Sequence, residues 1–403
     1  MGCLDLASTP ATFEGNLDVE TGSALSFSRR DVLTDMDYSY GFAIDDFDRD
    51  GRPDISFFDS WVSTAVSRPR SITGYVEYSG SDLRTIVPGD ALSGFEAKGQ
   101  LLFERHTTVD VNNDGHMDVV GVLNSHDALI AYLNPGDRIR NWPRRILATD
   151  LPNPINIDKG DIDNDGDMDL VVNLRINSDG DPEQKTGVYW LENPSARDAA
   201  WAVSEVSATK FSRSLAVGDF DDDGFLDIFA SDLSGRMSAF LGNGGSSWNA
   251  VSVGTGAAHG HFGSVYDVND SGRFEILQPV YQGIAVYTFD ADESTFGSYR
   301  VASFEQEAKQ IIITEAKAAD FDGDGLLDIA FTIGSSVSDP FAPARGGLYI
   351  LRQTDTGWSL DVIEEDRGSM VGLELVDYNG DGKIDIVANI EYPLNAVTVY
   401  LQN

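Results

Sequence analysis

One nine-residue pattern occurs seven times in this chain of 403 residues. It reads DFDRDGRPD from Asp46, DVNNDGHMD from Asp110, DIDNDGDMD from Asp161 and DFDDDGFLD from Asp219. It returns as DVNDSGRFE from Asp267, DFDGDGLLD from Asp320 and DYNGDGKID from Asp377. Successive starts lie 64, 51, 58, 48, 53 and 57 residues apart. Periods of this size signal a propeller or an array, and they override the roughly two to four domains that length alone suggests. The units fill the chain with no Pro- or Ser-rich linker, so residues 1–403 are read as a single domain.

The fourth unit shows what one repeat becomes. SLAVGDF alternates into the loop and LDIFASD leaves it, so both read as short strands. A turn at LSGR leads to MSAFLGNGGSSWNAVSV, which reads as two strands joined by a Gly/Asn turn. Each unit is then four antiparallel strands, A to D. Trp142, Trp201, Trp248 and Trp358 fall near the start of strand D, where large aromatics would cover the gap between neighbouring sheets. After IDIVANI and AVTVYLQN the last unit is one strand short, and SALSFSRRDV near the N-terminus can supply it. The sequence therefore predicts an all-β fold: a seven-bladed β-propeller of four-stranded antiparallel blades, closed by an N-terminal strand.

Within each pattern, positions 1, 3, 5 and 9 carry oxygen side chains, and position 6 is glycine. The first set is Asp46, Asp48, Asp50 and Asp54; the second is Asp110, Asn112, Asp114 and Asp118. The third is Asp161, Asp163, Asp165 and Asp169; the fourth is Asp219, Asp221, Asp223 and Asp227. The fifth departs from the rest, with Asp267, Asn269, Ser271 and Glu275. The sixth is Asp320, Asp322, Asp324 and Asp328, and the seventh is Asp377, Asn379, Asp381 and Asp385. Hard oxygens spaced around a sharp Gly turn suit calcium. Up to seven structural calcium sites are expected.

Charge fits the same reading. Lys plus Arg is 28 against 66 Asp plus Glu, a formal charge of −38, which excludes the basic footprint that nucleic acid needs. Of the 28 side-chain ligand places, 24 are Asp or Glu, and seven divalent ions would bring the formal charge to about −24. The residual acidity disfavours anionic membranes. No 18-residue apolar run is present, so no membrane span is expected. No signal peptide is visible. Cys3 is the sole cysteine, so no disulfide forms within the chain and the redox compartment stays open.

The seven DxDxDGxxD loops after LAVGDF-like strands resemble FG-GAP (VCBS) repeats, as in integrin α-subunit propellers and many microbial secreted proteins. That resemblance covers roughly residues 23 to 403. The YWLENP…W hairpins look more like carbohydrate-active members, namely propeller polysaccharide lyases and aldos-2-ulose dehydratases. Among these, fungal L-rhamnose-α-1,4-D-glucuronate lyases are similar in size. The resemblance implies a secreted monomer acting on an acidic glycan.

Chemistry is expected on the face opposite the loops, where the D–A and B–C connections surround the central opening. His106 begins strand A of the second unit, and His126 follows its strand B. His259 and His261 precede strand A of the fifth unit, and only His116 lies in an oxygen loop. Arg105, Arg213, Arg345, Trp61, Arg68, Arg70 and Tyr281 map to the same face. Lys159 and Lys317 sit deeper in strand A and can point into the channel. Elimination from a uronic acid suits this kit. A cation neutralises the C6 carboxylate, a base removes the C5 proton, and an acid protonates the leaving O4. The expected roles are His106 as base or acid, His126 or Tyr281 as its partner, and Arg213 or Arg105 as the clamp. Trp61, Arg68, His259, His261 and Arg345 are expected to bind substrate. Since strand neighbours face opposite ways, Arg105 and His106 can share a substrate only if the strand begins after His106. The alternatives are an aldos-2-ulose-type dehydratase or a non-catalytic carbohydrate-binding or adhesion propeller. Hydrolysis ranks lower, because most carboxylates are committed to the loops.

Overall fold

A computed structural model describes residues 12–13, 17–18, 25–34, 36, 41–59, 72–76, 83–88, 103–136, 141–175, 185–194, 199–209, 211–232, 234–245, 247–256, 262–268, 271–280, 283–305, 311–335, 346–354, 357–392 and 394–403. Among these residues the strands form seven sheets, and within each the chain runs in order from an inner strand A outwards. The inner strands are Phe42–Asp45, Phe103–Val109, Pro154–Gly160, Phe211–Gly218, Ser264–Tyr266, Ile311–Ala319 and Ser369–Val376. Each touches the next, and the last touches the first, so the sheets stand around a central channel.

Why the ring closes is visible in its core. Among the described residues there are seven apolar clusters, and each joins residues of two neighbouring sheets. Val120 and Leu129 meet Leu170 and Tyr189 between the second and third sheets, for example. Tyr378 and Val387 of the seventh meet Phe42 and Ile55 of the first. Strand B is buried on both faces, as in Asp118–Leu123 and Asp227–Asp232, which explains its near-continuous apolar sequence. The tryptophans serve these seams. Trp190 and Trp248, from neighbouring sheets, cross edge to face with centroids 6.4 Å apart, and Trp201 joins the cluster between the second and third sheets.

The blade expected from sequence needs correcting. It was uniformly four-stranded and antiparallel, whereas three of the seven sheets carry a fifth strand, and two of those pair in parallel. Asn141–Trp142 leaves its own unit and pairs in parallel with Leu83–Pro88 of the preceding sheet. This places the Trp142 ring edge-on to Phe47, 6.0 Å away, instead of opening strand D of its own blade. The other two extra strands come from the N-terminus. Thr12–Phe13 pairs antiparallel with Thr295–Glu305, and Leu17–Asp18 pairs in parallel with Gly357–Glu364. Period and alternation cannot reveal two-residue strands of this kind.

The N-terminal segment then closes the ring. Phe27–Leu33 pairs antiparallel with Ala396–Gln402 as the outermost strand of the last sheet. Asp31 accepts a hydrogen bond from Thr398 Oγ1 at 2.9 Å and pairs with Arg367. Arg29 reaches Glu364 at 2.8 Å, although that pair is half exposed and contributes little. The main-chain ladder does most of the joining. No described helix is long and apolar enough to cross a membrane.

Two truncations separate closure from the outer additions. Removing residues 1–24 should leave the protein folded, because Phe27–Leu33 remains. Removing residues 1–33 should strip the last sheet to three strands, lower the melting temperature and cause aggregation through the bared edge. Thermal unfolding and size-exclusion chromatography of both would check this, and equal behaviour of the two truncations would contradict it.

Candidate functional site

The oxygen loops are built on a repeated hydrogen-bond frame. In all seven, the ninth-position carboxylate accepts the main-chain N–H of position 2, at 2.8–3.2 Å. In five, its other oxygen accepts a main-chain N–H near the end of strand C, at 2.6–2.8 Å. The first-position carboxylate accepts the N–H of the position-6 glycine in every loop, at 2.6–3.0 Å. That glycine has positive φ throughout, from 80° at Gly272 to 98° at Gly166. Position 4 is also left-handed at Arg49, Asn113, Asn164, Asp222, Gly323 and Gly380. This accounts for the Asn, Asp and Gly there, since these residues tolerate the conformation best.

With the frame in place, the ligand positions converge, as 1, 3 and 5 in two loops and as 1, 3 and 9 in two others. Carboxylate oxygens of Asp46, Asp48 and Asp50 lie within 4.8 Å of one another, as do those of Asp161, Asp163 and Asp165. Asp219, Asp221 and Asp227 form a third such group, and Asp320, Asp322 and Asp328 a fourth. Asn112 Oδ1, Asp161 Oδ1 and Asp221 Oδ1 are buried with no hydrogen-bond partner. Buried oxygens of that kind need a donor or a cation. Burial, with the neighbouring loop carboxylates, pushes Asp54 and Asp118 up to about 8. A divalent cation would supply the positive charge that lets such groups ionise. The loops therefore fit a metal ion held by hard oxygens. In the fifth loop the frame persists through Asp267 and Glu275, while Asn269 lies outside the described residues.

The second feature is the central channel, a cavity of about 480 Å³. Its polar side chains follow a register counted back from each loop. Five residues before the loop starts stand Gly41, Arg105, Asn156, Ser214, Phe262, Glu315 and Gly372. At this level Arg105 of the second sheet crosses the channel. Its guanidinium lies 3.6 Å above the Phe262 ring of the fifth sheet, 3.4 Å from Glu315 of the sixth and 2.9 Å from Val371 O of the seventh. A Cβ at Gly41 would lie 3.1 Å from Glu104 O and 3.4 Å from Arg105 Cδ. Two residues nearer the loops, Lys317 pairs with Glu374 at 2.6 Å and with Glu315 at 3.9 Å. Burial alone would lower Lys317, but the two carboxylates prevail and hold it above the usual lysine range. Asp158 accepts the N–H groups of Lys159 and Val217, and burial raises it to about 6.

The structure separates Arg105 from His106. The pairing of Phe103–Val109 with its neighbour slips between Phe103 and His106. Strands Pro154–Gly160, Ile311–Ala319 and Ser369–Val376 slip six residues before their loops. A bulge of this kind re-aims a side chain. Arg105 thus enters the channel, while His106 is 7% exposed and packs edge-on to Phe58 at 4.6 Å. Its Nε2 is 2.8 Å from Ser56 Oγ. Burial holds its pKa at about 3, so the imidazole is neutral near pH 7. His126 ends a short 3-10 turn, Asn124–His126, and is 5% exposed, with Nδ1 2.7 Å from Ser125 Oγ. His116 is half-buried in its loop, against Gly136. Trp61, Arg68, Arg70, His259, His261, Tyr281 and Arg345 lie outside the described residues, as does the side chain of Arg213. Lys159 and Lys317 both line the channel. Sequence reasoning missed Glu315, Glu374, Asp158, Phe262 and Tyr266. Counting odd steps back from each loop start would have found all five, because alternate strand residues share a face.

Comparisons with known proteins bear on the fold and the repeat. A family model described as an FG-GAP-like repeat matches residues 110–172 and 320–388. The T-cell immunomodulatory protein of Rattus norvegicus is 21% identical over 304 residues, covering 69% of this chain and 48% of that protein. Its Mus musculus counterpart is 20% identical over 308 residues, with the same coverage of 69% and 48%. The chain thus spans about half the length of the curated relatives it matches. Among solved structures, BBS1N in complex with ARL6DN shares 12% identity at a TM-score of 0.52, covering 94% of this chain and 97% of that one. The Dos1 propeller shares 7% at 0.52, covering 94% and 95%. An Agrocybe aegerita lectin specific for non-reducing terminal N-acetylglucosamine shares 15% at 0.49, covering 82% and 92%, and carries no argument at that score. These likenesses show a β-propeller fold with FG-GAP-like repeats. None of these relatives is a polysaccharide lyase. The resemblance to L-rhamnose-α-1,4-D-glucuronate lyases and other propeller lyases is corrected accordingly, to one of repeat and fold.

His106 makes stability depend on acid. Its folded pKa of about 3 lies below the ordinary histidine value of 6.5, so its contribution is complete above 6.5 and is lost as pH falls towards 3. His106→Gln should flatten the fall in melting temperature between about pH 6.5 and 4 relative to wild type. Parallel acid profiles of the two proteins would contradict the buried neutral imidazole.

Proposed function

We propose that this chain is a non-catalytic carbohydrate-binding propeller, braced by calcium in its oxygen loops. The observation that carries this reading is the state of its ionisable groups. The channel's charged residues are held by one another or by main-chain groups, and the histidine best placed for proton transfer is buried and neutral. A general acid–base pair needs groups that can reach a reacting proton and titrate near the working pH. Asp158, raised to about 6, comes nearest that range, but both its carboxylate oxygens are taken by main-chain N–H groups, and the described channel groups form a rigid, pre-organised lining, which is what recognition requires.

Calcium is the ion of choice because every contributed side-chain ligand is oxygen, and the loops bend as calcium loops do. Asp46, Asp48 and Asp50 would hold one ion, and the corresponding positions would hold the others. An ion there supplies charge neutralisation and rigidity. An extracellular setting, where calcium is abundant, accords with this reading. The name of the curated relatives, an immunomodulatory protein, accords with a recognition role.

A glycan array probed with the full chain in calcium tests the proposal, followed by prolonged incubation with each bound glycan. Binding that falls with chelator, with every bound glycan recovered intact by mass spectrometry, is expected. An unsaturated or shortened product would overturn the non-catalytic reading. Absence of binding to any glycan would overturn carbohydrate as the ligand class.

A further inference from the structure

Carbohydrate binding leaves open where a sugar sits, and the sequence points to the face away from the oxygen loops. The channel argues for the other side. At the Arg105 level it is crossed from the second sheet to the fifth, sixth and seventh. The side chains there are 13% exposed for Arg105 and 7% for Glu315. Two residues nearer the loops, exposure rises to 16% for Lys317 and 37% for Glu374. Access to solvent therefore increases towards the loop face, and Arg105 forms a floor.

Above that floor the lining is mixed in a specific way. Lys159 Nζ donates to Thr108 O and to Thr108 Oγ1, the latter at 3.1 Å. Both acceptors belong to one residue, and no described carboxylate pairs with this ammonium, which has three protons to donate. Glu374 engages Lys317 through Oε2, and its Oε1 has no partner among the described residues. Tyr266 contributes a half-buried phenol to the same cavity, its pKa raised by desolvation. Leu215, Ala216 and Val217 of the fourth sheet border the cavity, with Leu215 and Ala216 buried in the seams to the two neighbouring sheets. Three cations, Arg105, Lys159 and Lys317, balance three anions, Asp158, Glu315 and Glu374. A lining of zero formal charge with both donors and acceptors suits a neutral ligand whose groups do both. Hydroxyls meet that description. The volume lies in the range of small-molecule pockets, roughly 300–1,000 Å³.

We infer that the central channel, entered from the oxygen-loop face and floored by Arg105, binds one neutral sugar residue through Lys159, Tyr266 and Glu374. This rests on the carbohydrate-binding reading and names its site. It also distinguishes the pocket from a uronate clamp, since an added carboxylate would unbalance the lining.

The test uses the full chain in calcium with free glucose, galactose, mannose, L-rhamnose and N-acetylglucosamine, and with glucuronate as the charged comparison. Binding is read by titration calorimetry. Lys159→Met and Glu374→Gln each remove one polar contact. Thr107→Met fills the cavity while keeping every charge, so it stands if a charge variant fails to fold. At least one neutral sugar should bind wild type and lose tenfold or more in affinity with each folded variant. Equal binding by wild type and all folded variants would place the sugar elsewhere, overturning the channel site while the carbohydrate reading stands. Glucuronate binding more tightly than every neutral sugar would overturn the ligand class. If neither the free sugars nor the glycan array gives binding, the site and the broader reading fall together.

Discussion

The ninth-position carboxylate is the interaction on which the ring depends. Asp118 is fully buried at the start of strand B, yet it holds the N–H of Val111 in its loop and the N–H of Asn134 beyond strand C. One side chain thereby fixes three pieces of backbone at the loop end of a sheet. Leaving two such amides unpaired would cost on the order of 1–3 kcal/mol each. The same device recurs at Asp169, Asp227, Asp328 and Asp385, and Asp54 and Glu275 keep its loop half, so the loop face is a ring of similar staples. A buried carboxylate is itself expensive, and the loop adds several more around it. Main-chain donors offset part of that cost. A cation among the loop carboxylates would offset the repulsion that remains.

Rigidity at the loop face sets the chemistry of the channel. Inner strands leave the staples at fixed register, so residues at like steps from each loop meet in layers around the channel. Differences among the repeats then become a pattern on the channel wall. Arg105 stands where other repeats carry Gly41 or Gly372, and Glu315 stands where another carries Asn156. The oxygen loops are alike and serve the scaffold, whereas the unlike residues behind them give the cavity its character.

Much of this was legible in the sequence because it repeats. Seven loops in register gave the oxygen ligands, the glycine turn and the strand order, and the missing strand of the last repeat pointed to Phe27–Leu33. What stayed hidden was non-periodic. The pairing of Asn141–Trp142 with the preceding sheet involves two residues and carries no pattern. The bulge that separates the Arg105 and His106 side chains is a backbone event, and no residue type announces it. His106 attracted attention because histidine is rare here, but rarity says nothing about burial. Ser56 and Phe58, which determine its state, lie some 50 residues earlier in the chain. Several expected site residues, Trp61 and Tyr281 among them, fall outside the described residues.

Thermal unfolding of the full chain, with metal content measured alongside, tests the brace most directly. An ion bound by the native state alone raises stability by mass action. Exhaustive chelation should lower the melting temperature, and added calcium should restore it where sodium chloride of equal ionic strength does not. Metal analysis of the restored protein should find several calcium ions per chain. A melting temperature unmoved by chelation, in protein shown to be free of metal, would contradict a cation-braced ring.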